Sequence, residues 1–165
     1  MKLSETVTTV LITLLGIMPF IWFTYIGKKS SIKSKKTIKD LIKGENLKFA
    51  EKEFWNHNFI GIDKEKQVLL FVKIKSPENE IVRVDLNNVK SCVIHKNTRD
   101  IKREKKLESE LQQMNLELQF YSKPSVTLNL YDIEDRLSED FEMKRAEKWK
   151  QLITDNIQKS SVVAA

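Results

Sequence analysis

Residues Phe59–Lys75, with the sequence FIGIDKEKQVLLFVKIK, contain two short apolar runs separated by a polar stretch. The first run, Phe59–Asp63, and the second, Val68–Lys75, are rich in β-branched and aromatic residues, which favour strands. The polar residues Asp63–Gln67 between them predict a turn and therefore an antiparallel hairpin. Because the second run is first apolar at consecutive positions, it is predicted to be buried on both faces of its sheet.

Further strand patterns follow this hairpin along the chain. Glu80–Leu86 alternates between apolar and polar residues, and Val89–Lys96 follows the turn-forming pair Asn87–Asn88. The four runs between Phe59 and Lys96 recur about every ten residues, which predicts an antiparallel meander. Met114–Phe120 and residues 126–130 also alternate, so six or seven strands are expected in all.

Two stretches leave alternatives open. Asn97–Gln113 is highly charged and is either a fifth, exposed strand that runs into a long loop or a short helix over Glu104–Gln113. Leu47–Asn58 is expected to contain one helical turn near Glu51–Trp55. Its predicted core anchors are Phe49, Phe54 and Trp55.

The chain is predicted to finish in an amphipathic helix. Ser138 is a suitable N-cap, and the acidic residues that follow it suit the positive end of a helix. Residues 160–165 are expected to form a flexible tail. The apolar stripe of the helix consists of Phe141, Ala146, Trp149, Leu152, Ile153 and Ile157.

This order of elements resembles the pleckstrin-homology (PH) superfold, and its phrases look like those of bacterial PH-like modules. The segments that carry the resemblance are FIGID with VLLFVKI, VDLNNVKSCVI, and FEMKRAEKWKQLI. The resemblance implies an α+β domain over residues 59–159. In it, a mostly antiparallel β-barrel or sandwich of six or seven strands is closed by the C-terminal helix. Trp149 and Ile153 would be the structural plug of the open end.

The resemblance also bears on the ligand. Family members that bind phosphoinositides use several basic residues in the first strand–strand loop. The corresponding loop here, Asp63–Gln67, is neutral overall. A protein or peptide partner at a sheet edge or at the barrel rim is therefore expected instead.

Thr6–Gly27 is a predicted transmembrane helix of 22 residues without Asp, Glu, Lys, Arg or His. At helical rise it would be about 33 Å long, which is enough to cross a bilayer core of about 30 Å. The run is longer than the core of a cleaved signal peptide and lacks small residues before a cleavage site. Trp22 and Tyr25 are suited to the membrane interface at its C-terminal end.

The lysines after this segment predict its orientation. Residues 28–43 carry seven lysines and one aspartate, whereas residues 1–5 carry one lysine and one glutamate. By the positive-inside rule, the N-terminus is expected outside and the domain in the cytoplasm. The resemblance to bacterial modules implies that the membrane is the bacterial cytoplasmic membrane. The lysines expected at the membrane surface are Lys28, Lys29, Lys33, Lys35, Lys36 and Lys39.

Within the basic juxtamembrane segment, residues 28–58, the first part, residues 28–43, holds the whole excess charge of the protein. Residues 44–165 contain 21 basic and 21 acidic residues, so the domain itself is neutral and nucleic-acid binding is not expected. Ser34–Lys43 is predicted to form a short amphipathic helix with Gly44 as its C-terminal cap. The lysines either contact anionic lipid headgroups or only set the topology.

No residue pattern supports catalysis, a metal site or a cofactor. The single cysteine, Cys92, is predicted to be a small core residue, and His95 to lie on the opposite face of the same strand. His57 is expected at the surface. The acidic residues between Asp132 and Asp140 lack the spacing of a calcium loop, which favours a solvated turn.

These patterns predict a single-pass membrane protein that is not an enzyme. Its PH-like domain would be a protein- or peptide-binding or scaffolding module. The alternatives are a domain that contacts anionic lipid and a small structural subunit of a larger membrane complex, whose membrane helix packs against others.

Overall fold

The computed structural model describes residues 7, 13–19, 33–103, 106–135 and 141–163. These residues form an α+β fold, as predicted, with two antiparallel sheets. Residues 33–43 are helical, Leu86–Asn88 form a 3-10 turn, and the C-terminal helix spans Glu142–Val163. The strands are β1 (Glu51–Trp55), β2 (Asn58–Asp63), β3 (Val68–Lys73), β4 (Glu80–Asp85), β5 (Val89–Arg103), β6 (Lys106–Phe120) and β7 (Val126–Asp132).

The two sheets follow the chain order. The first sheet contains β1 to β4, and the second contains β5 to β7. The predicted meander is correct for β2, β3 and β4, but the fourth run begins the second sheet. The physical reason is the turn at Leu86–Asn88, where the Asp85 side chain accepts a hydrogen bond from the Asn87 N–H and redirects the chain.

The prediction of a barrel is not met. Among the described residues neither sheet closes on itself, and β4 and β5 belong to different sheets. The sheets instead share one core with the C-terminal helix, which includes Ile60 of the first sheet, Leu116 of the second and Trp149 of the helix. Burial of these shared apolar faces is the main stabilising term of the fold.

The described residues of the charged stretch 97–113, which are 97–103 and 106–113, are strand and form neither a helix nor a long loop. β5 and β6 pair from Val89 with Phe120 to Arg103 with Lys106, so the stretch belongs to one long hairpin. A register shift between Asn97 and Thr98 interrupts the ladder. Leu111, which pairs with Thr98, is fully buried in the shared core and holds this part of the hairpin against it. Of the two alternatives for this stretch, the strand is correct for residues 97–103, whereas the short helix over Glu104–Gln113 is wrong for the described residues 106–113.

The region before Phe59 also differs from expectation. Residues 51–55 form strand β1 and not a helical turn, and the two-residue turn Asn56–His57 joins it to β2. Asn56 has a φ of 48°, a left-handed conformation that asparagine tolerates. Consequently, the loop at 63–67 is the second strand–strand loop of the domain and not the first.

The C-terminal helix is fixed to β1 by a polar cluster. Trp149 and Ile153 are fully buried in the shared core, whereas Phe141, expected in the apolar stripe, is exposed. Glu53 accepts hydrogen bonds from Arg145, Lys148 and Trp149 at 2.8 to 3.0 Å.

Burial raises the pKa of Glu53, but these hydrogen bonds outweigh it, so the pKa lies below the ordinary value of 4.5. The helix continues through residues 160–163, part of the expected tail. The predicted N-cap, Ser138, lies outside the described residues.

Within the described ranges, no helix is both long and apolar enough to span a bilayer. Of the predicted span Thr6–Gly27, only residues 7 and 13–19 are described, and they are helical.

Candidate functional site

The helical residues 33–43 pack on the outer face of the first sheet. Side chains alternate along β2 and β3, so Ile60 and Leu69 point to the shared core while Phe59 and Leu70 point to the other face. Ile38 is fully buried against this second face. β2 and β3 are thus covered on both sides, which the consecutive apolar residues of 68–72 predicted for β3.

Polar contacts hold both ends of this helical segment. At its start, Ser34 Oγ lies 2.6 Å from His57 Nδ1 in the β1–β2 turn. After its end, Arg83 of β4 forms an ion pair of 2.7 Å with Glu45, and the Lys66 ammonium donates to the Asn46 carbonyl.

The helix ends at Lys43, as predicted, but Gly44 does not have a positive φ. The left-handed residue is Asn46, with a φ of 49°.

Asp63 connects the β2–β3 loop to the segment before β1. Its two carboxylate oxygens accept the backbone N–H groups of Glu65, Lys66 and Lys48 at 2.8 to 3.0 Å. The Lys66 N–H lowers the pKa of Asp63 most, and burial, which raises it, is outweighed. The aspartate of the FIGID segment therefore shapes a turn and is not available to a ligand.

Lysines line one side of the helical segment. Lys35, Lys39 and Lys43 are spaced four residues apart, which places them in one row about 12 Å long on a helix. Lys43 forms an exposed ion pair with Asp40 at 3.2 Å. Lys52 of β1 faces the row across a depression in the surface.

The floor of this depression is aromatic. Phe59 contacts both Phe49 and Phe54, with ring centroids 5.2 and 4.7 Å apart. Phe59 is fully buried, whereas Phe49 and Phe54 are partly exposed. Gly61 makes the arrangement possible, because a Cβ at this position would lie 2.6 Å from Cδ1 of Phe49.

We name this depression the lysine groove. Its volume is about 740 Å³, which is within the range of small-molecule sites. In the part of the chain that the structure describes, no carboxylate lies within ion-pair distance of Lys35, Lys39 or Lys52. The groove therefore combines an apolar floor with a net positive rim. It is lined by Lys35, Lys39, Ile42, Lys43, Asn46, Leu47, Phe49, Lys52, Phe54 and Phe59.

The structure divides the lysines that were expected at the membrane surface. Lys35 and Lys39 line the groove, whereas Lys33 and Lys36 are exposed elsewhere on the helical segment. Lys28 and Lys29, together with the interface aromatics Trp22 and Tyr25, lie outside the described residues.

Sequence reasoning missed Lys52 and the exposed edges of Phe49 and Phe54. One signal was available in the sequence. The lysines at 35, 39 and 43 recur every four residues, so they lie on one side of the helix, and their spacing differs from that of the apolar residues on the same helix.

The other candidate residues do not lie together in one site. Cys92 is buried, as predicted, and burial raises the pKa of its thiol to about 11. His95 is exposed and lies 2.6 Å from Glu117 on β6, on the face opposite to Cys92. His57 is exposed in its turn. Among the described residues, no three His, Cys, Asp or Glu side chains are grouped as metal ligands would be.

Comparison of the chain with protein-family models, with curated proteins and with solved structures finds no match.

Proposed function

We propose that this protein is a single-pass protein of the bacterial cytoplasmic membrane whose PH-like domain binds a protein or peptide partner at the membrane surface. The observation that carries the proposal is the lysine groove. An open depression with an apolar floor and three lysines that have no described carboxylate partner is the type of surface that recognises another molecule.

The order of elements supports the PH-like part of the proposal. A four-stranded sheet is followed by a three-stranded sheet and then by a helix, and the buried Trp149 of that helix packs in the core between them. The true first strand–strand loop, Asn56–His57, contains no lysine or arginine. It thus departs from the lipid-binding pattern of the family as much as the loop at 63–67 does.

The apolar composition of Thr6–Gly27 supports the membrane part. The helical residues 13–19 in this segment expose apolar side chains, among them Leu14, Leu15 and Met18. Lipid is the environment that accommodates such a surface at low free-energy cost. A chain held to the membrane in this way meets membrane-bound partners at a raised local concentration.

The orientation can be tested by cysteine labelling in intact cells. The variants Lys2→Cys and Glu78→Cys place a thiol on either side of the proposed membrane helix, and the buried Cys92 gives little background. A membrane-impermeant maleimide should label position 2 in intact cells and position 78 only after lysis. The reverse pattern, or labelling of both positions in intact cells, would contradict the proposed topology.

Partner binding can be tested by photocrosslinking in cells. A photoreactive amino acid at position 54 should give a discrete crosslinked product, because this side chain lines the groove. The same amino acid at Lys90, which is exposed on β5 of the other sheet, is the matched control. Equal crosslinking from both positions, or none from position 54, would contradict a partner at the groove.

A second candidate function is contact with anionic lipid, which is favoured by the exposed Lys33 and Lys36 on the helical segment. Each such lysine contributes about 1 kcal/mol near an anionic surface. If lipid contact is the function, residues 33–43 should gain hydrogen-exchange protection when the protein is moved from neutral to anionic lipid nanodiscs.

A further inference from the structure

We infer that the lysine groove binds an extended, acidic peptide segment of a partner protein, and that this segment pairs with the edge of β1 to which no described strand is paired. The inference rests on the proposed function, and it adds the chemistry of the partner and the strand that it contacts.

β1 is an edge strand. It pairs with β2 on one side, and on its other side no backbone hydrogen bond is formed with any described residue. The unpaired N–H and C=O groups of an edge strand are a template for another extended chain. Addition of a peptide strand at such an edge derives affinity from the main chain and specificity from alternate side chains.

The two faces of β1 differ. Lys52 and Phe54 point to the groove, whereas Glu53 points to the opposite face, where the C-terminal helix holds it. A segment added at the edge would therefore place every second side chain over the groove. Its remaining side chains would lie on the side of the helix.

The charge and shape of the groove determine which side chains of the added segment fit over it. Lys52 on one wall and Lys35 and Lys39 on the other attract Asp or Glu, and no described carboxylate competes for them. The exposed edges of Phe49 and Phe54 favour a large apolar side chain. The expected partner segment thus has acidic and large apolar residues at alternate positions of one face.

A lipid headgroup would use the lysines but not the strand edge. The presence of an edge strand beside the cations therefore favours a peptide over a lipid. The distinction can be measured directly.

The test uses the full chain in nanodiscs of neutral phosphatidylcholine and a fluorescein-labelled peptide, TETFTETF. Its glutamates and phenylalanines share one face in an extended chain. The control peptide TKTFTKTF should bind at least about tenfold more weakly, because its charges repel the rim. Lys39→Glu and Phe54→Ser should each weaken the binding of TETFTETF by a similar factor, whereas Lys90→Glu should leave it unchanged.

Backbone methylation tests the strand pairing. N-methyl groups on alternate residues of TETFTETF block the N–H groups of one edge and leave the other edge free. One of the two registers of methylation should abolish binding and the other should preserve it. Equal effects of the two registers would overturn pairing at the edge of β1.

The remaining outcomes separate the inference from the proposed function. If TETFTETF binds and its affinity is unchanged by Lys39→Glu and Phe54→Ser, the peptide does not bind in the groove. The inference then fails, whereas the proposed function as a binding module stands. If anionic phosphatidylglycerol nanodiscs abolish peptide binding and protect residues 33–43, the groove is a lipid site and the inference fails. If neither the peptide nor the photocrosslinker at position 54 finds a partner, both proposals fail.

Discussion

The two faces of the first sheet are covered in different ways. The inner face joins a large shared core with the second sheet and the C-terminal helix, and its members are almost completely buried. The outer face carries a small cluster in which only Ile38, Phe59, Leu70 and Val72 are buried and the surrounding side chains stay partly exposed. The inner face therefore determines whether the domain folds, and the outer face determines whether the lysine groove exists.

The largest effect is expected at the inner face. Trp149→Ala removes a fully buried ring and its hydrogen bond to Glu53, and should lower the free energy of unfolding by about 3–5 kcal/mol. The total free energy of unfolding of a typical domain is only about 5–15 kcal/mol. Urea unfolding in detergent micelles, followed by circular dichroism, measures the change. The free energy of unfolding of Trp149→Phe should lie between those of the parent and of Trp149→Ala. If Trp149→Ala lowers the free energy of unfolding by less than about 1 kcal/mol, this ring is not central to the core.

At the outer face, Ile38→Ala should cost about 2–4 kcal/mol, since it leaves a cavity under the helical segment. The loss of stability should be confined to the helical segment and the outer face of the first sheet. Hydrogen exchange should increase in residues 33–43 and stay nearly unchanged in β5 and β6. Ile81→Ala, at an exposed isoleucine of β4, is the matched control. Equal acceleration in both sheets would show that the two faces unfold as one unit.

Gly61→Ala probes the floor of the groove. The added Cβ would collide with Phe49, so a cost of about 1–3 kcal/mol is expected from overpacking. In the double variant with Phe49→Ala, the second change should remove the closest collision and leave only the one with Cζ of Phe59 at 2.9 Å, so the two costs should not add. Simple additivity in urea unfolding would mean that Phe49 does not lie over Gly61.

The contact between the C-terminal helix and β1 should depend on pH. The pKa of Glu53 is lowered on folding, so its stabilising contribution is present above the ordinary value of 4.5 and is lost as the pH falls through the folded value. Glu53→Gln should cost about 1–2 kcal/mol at pH 7, since hydrogen bonds to a charged group are lost. The variant should lose less stability than the parent between pH 6 and pH 3.

Glu78→Gln, in an exposed turn, provides the control for this pH series. The free energy of unfolding of this control variant should equal that of the parent throughout the series. If Glu53→Gln also matches the parent, the hydrogen bonds of Glu53 do not stabilise the folded state.

The smallest effect on stability is expected at the rim. Lys39→Ala should change the free energy of unfolding by less than about 0.5 kcal/mol, because its ammonium has no described carboxylate partner. Thermal unfolding of this variant beside Lys90→Ala checks the expectation. A clear loss at Lys39 alone would mean that the lysine row supports the outer face and does not serve a ligand.

Much of the fold was predictable from local pattern. Alternation located most strands, the consecutive apolar residues of 68–72 indicated a strand covered on both faces, and the stripe with Trp149 indicated the closing helix. For the charged arms of β5 and β6, the sequence left a strand and a helix as alternatives, because a paired ribbon exposed on both faces has no apolar period. β1 was misread since Phe54 and Trp55 are adjacent and point to opposite clusters.

The candidate site was only partly predictable for a similar reason. Lys35 and Lys39 were singled out for their charge, yet Lys52 and the aromatic floor were not connected to them. These residues come from a helix, a connecting segment and two strands, and nothing in the local sequence brings them together.

The sequence by itself determined the antiparallel α+β class, the buried tryptophan of the last helix and the concentration of charge in residues 28–43, because each depends on composition or on a local period. Only the tertiary structure decided that the chain changes sheets after Asp85 and that residues 33–43 cover the outer face. It also decided that three aromatic rings and four lysines form one groove. These features depend on which surfaces meet, and the free energy of that contact is shared among residues far apart in the chain.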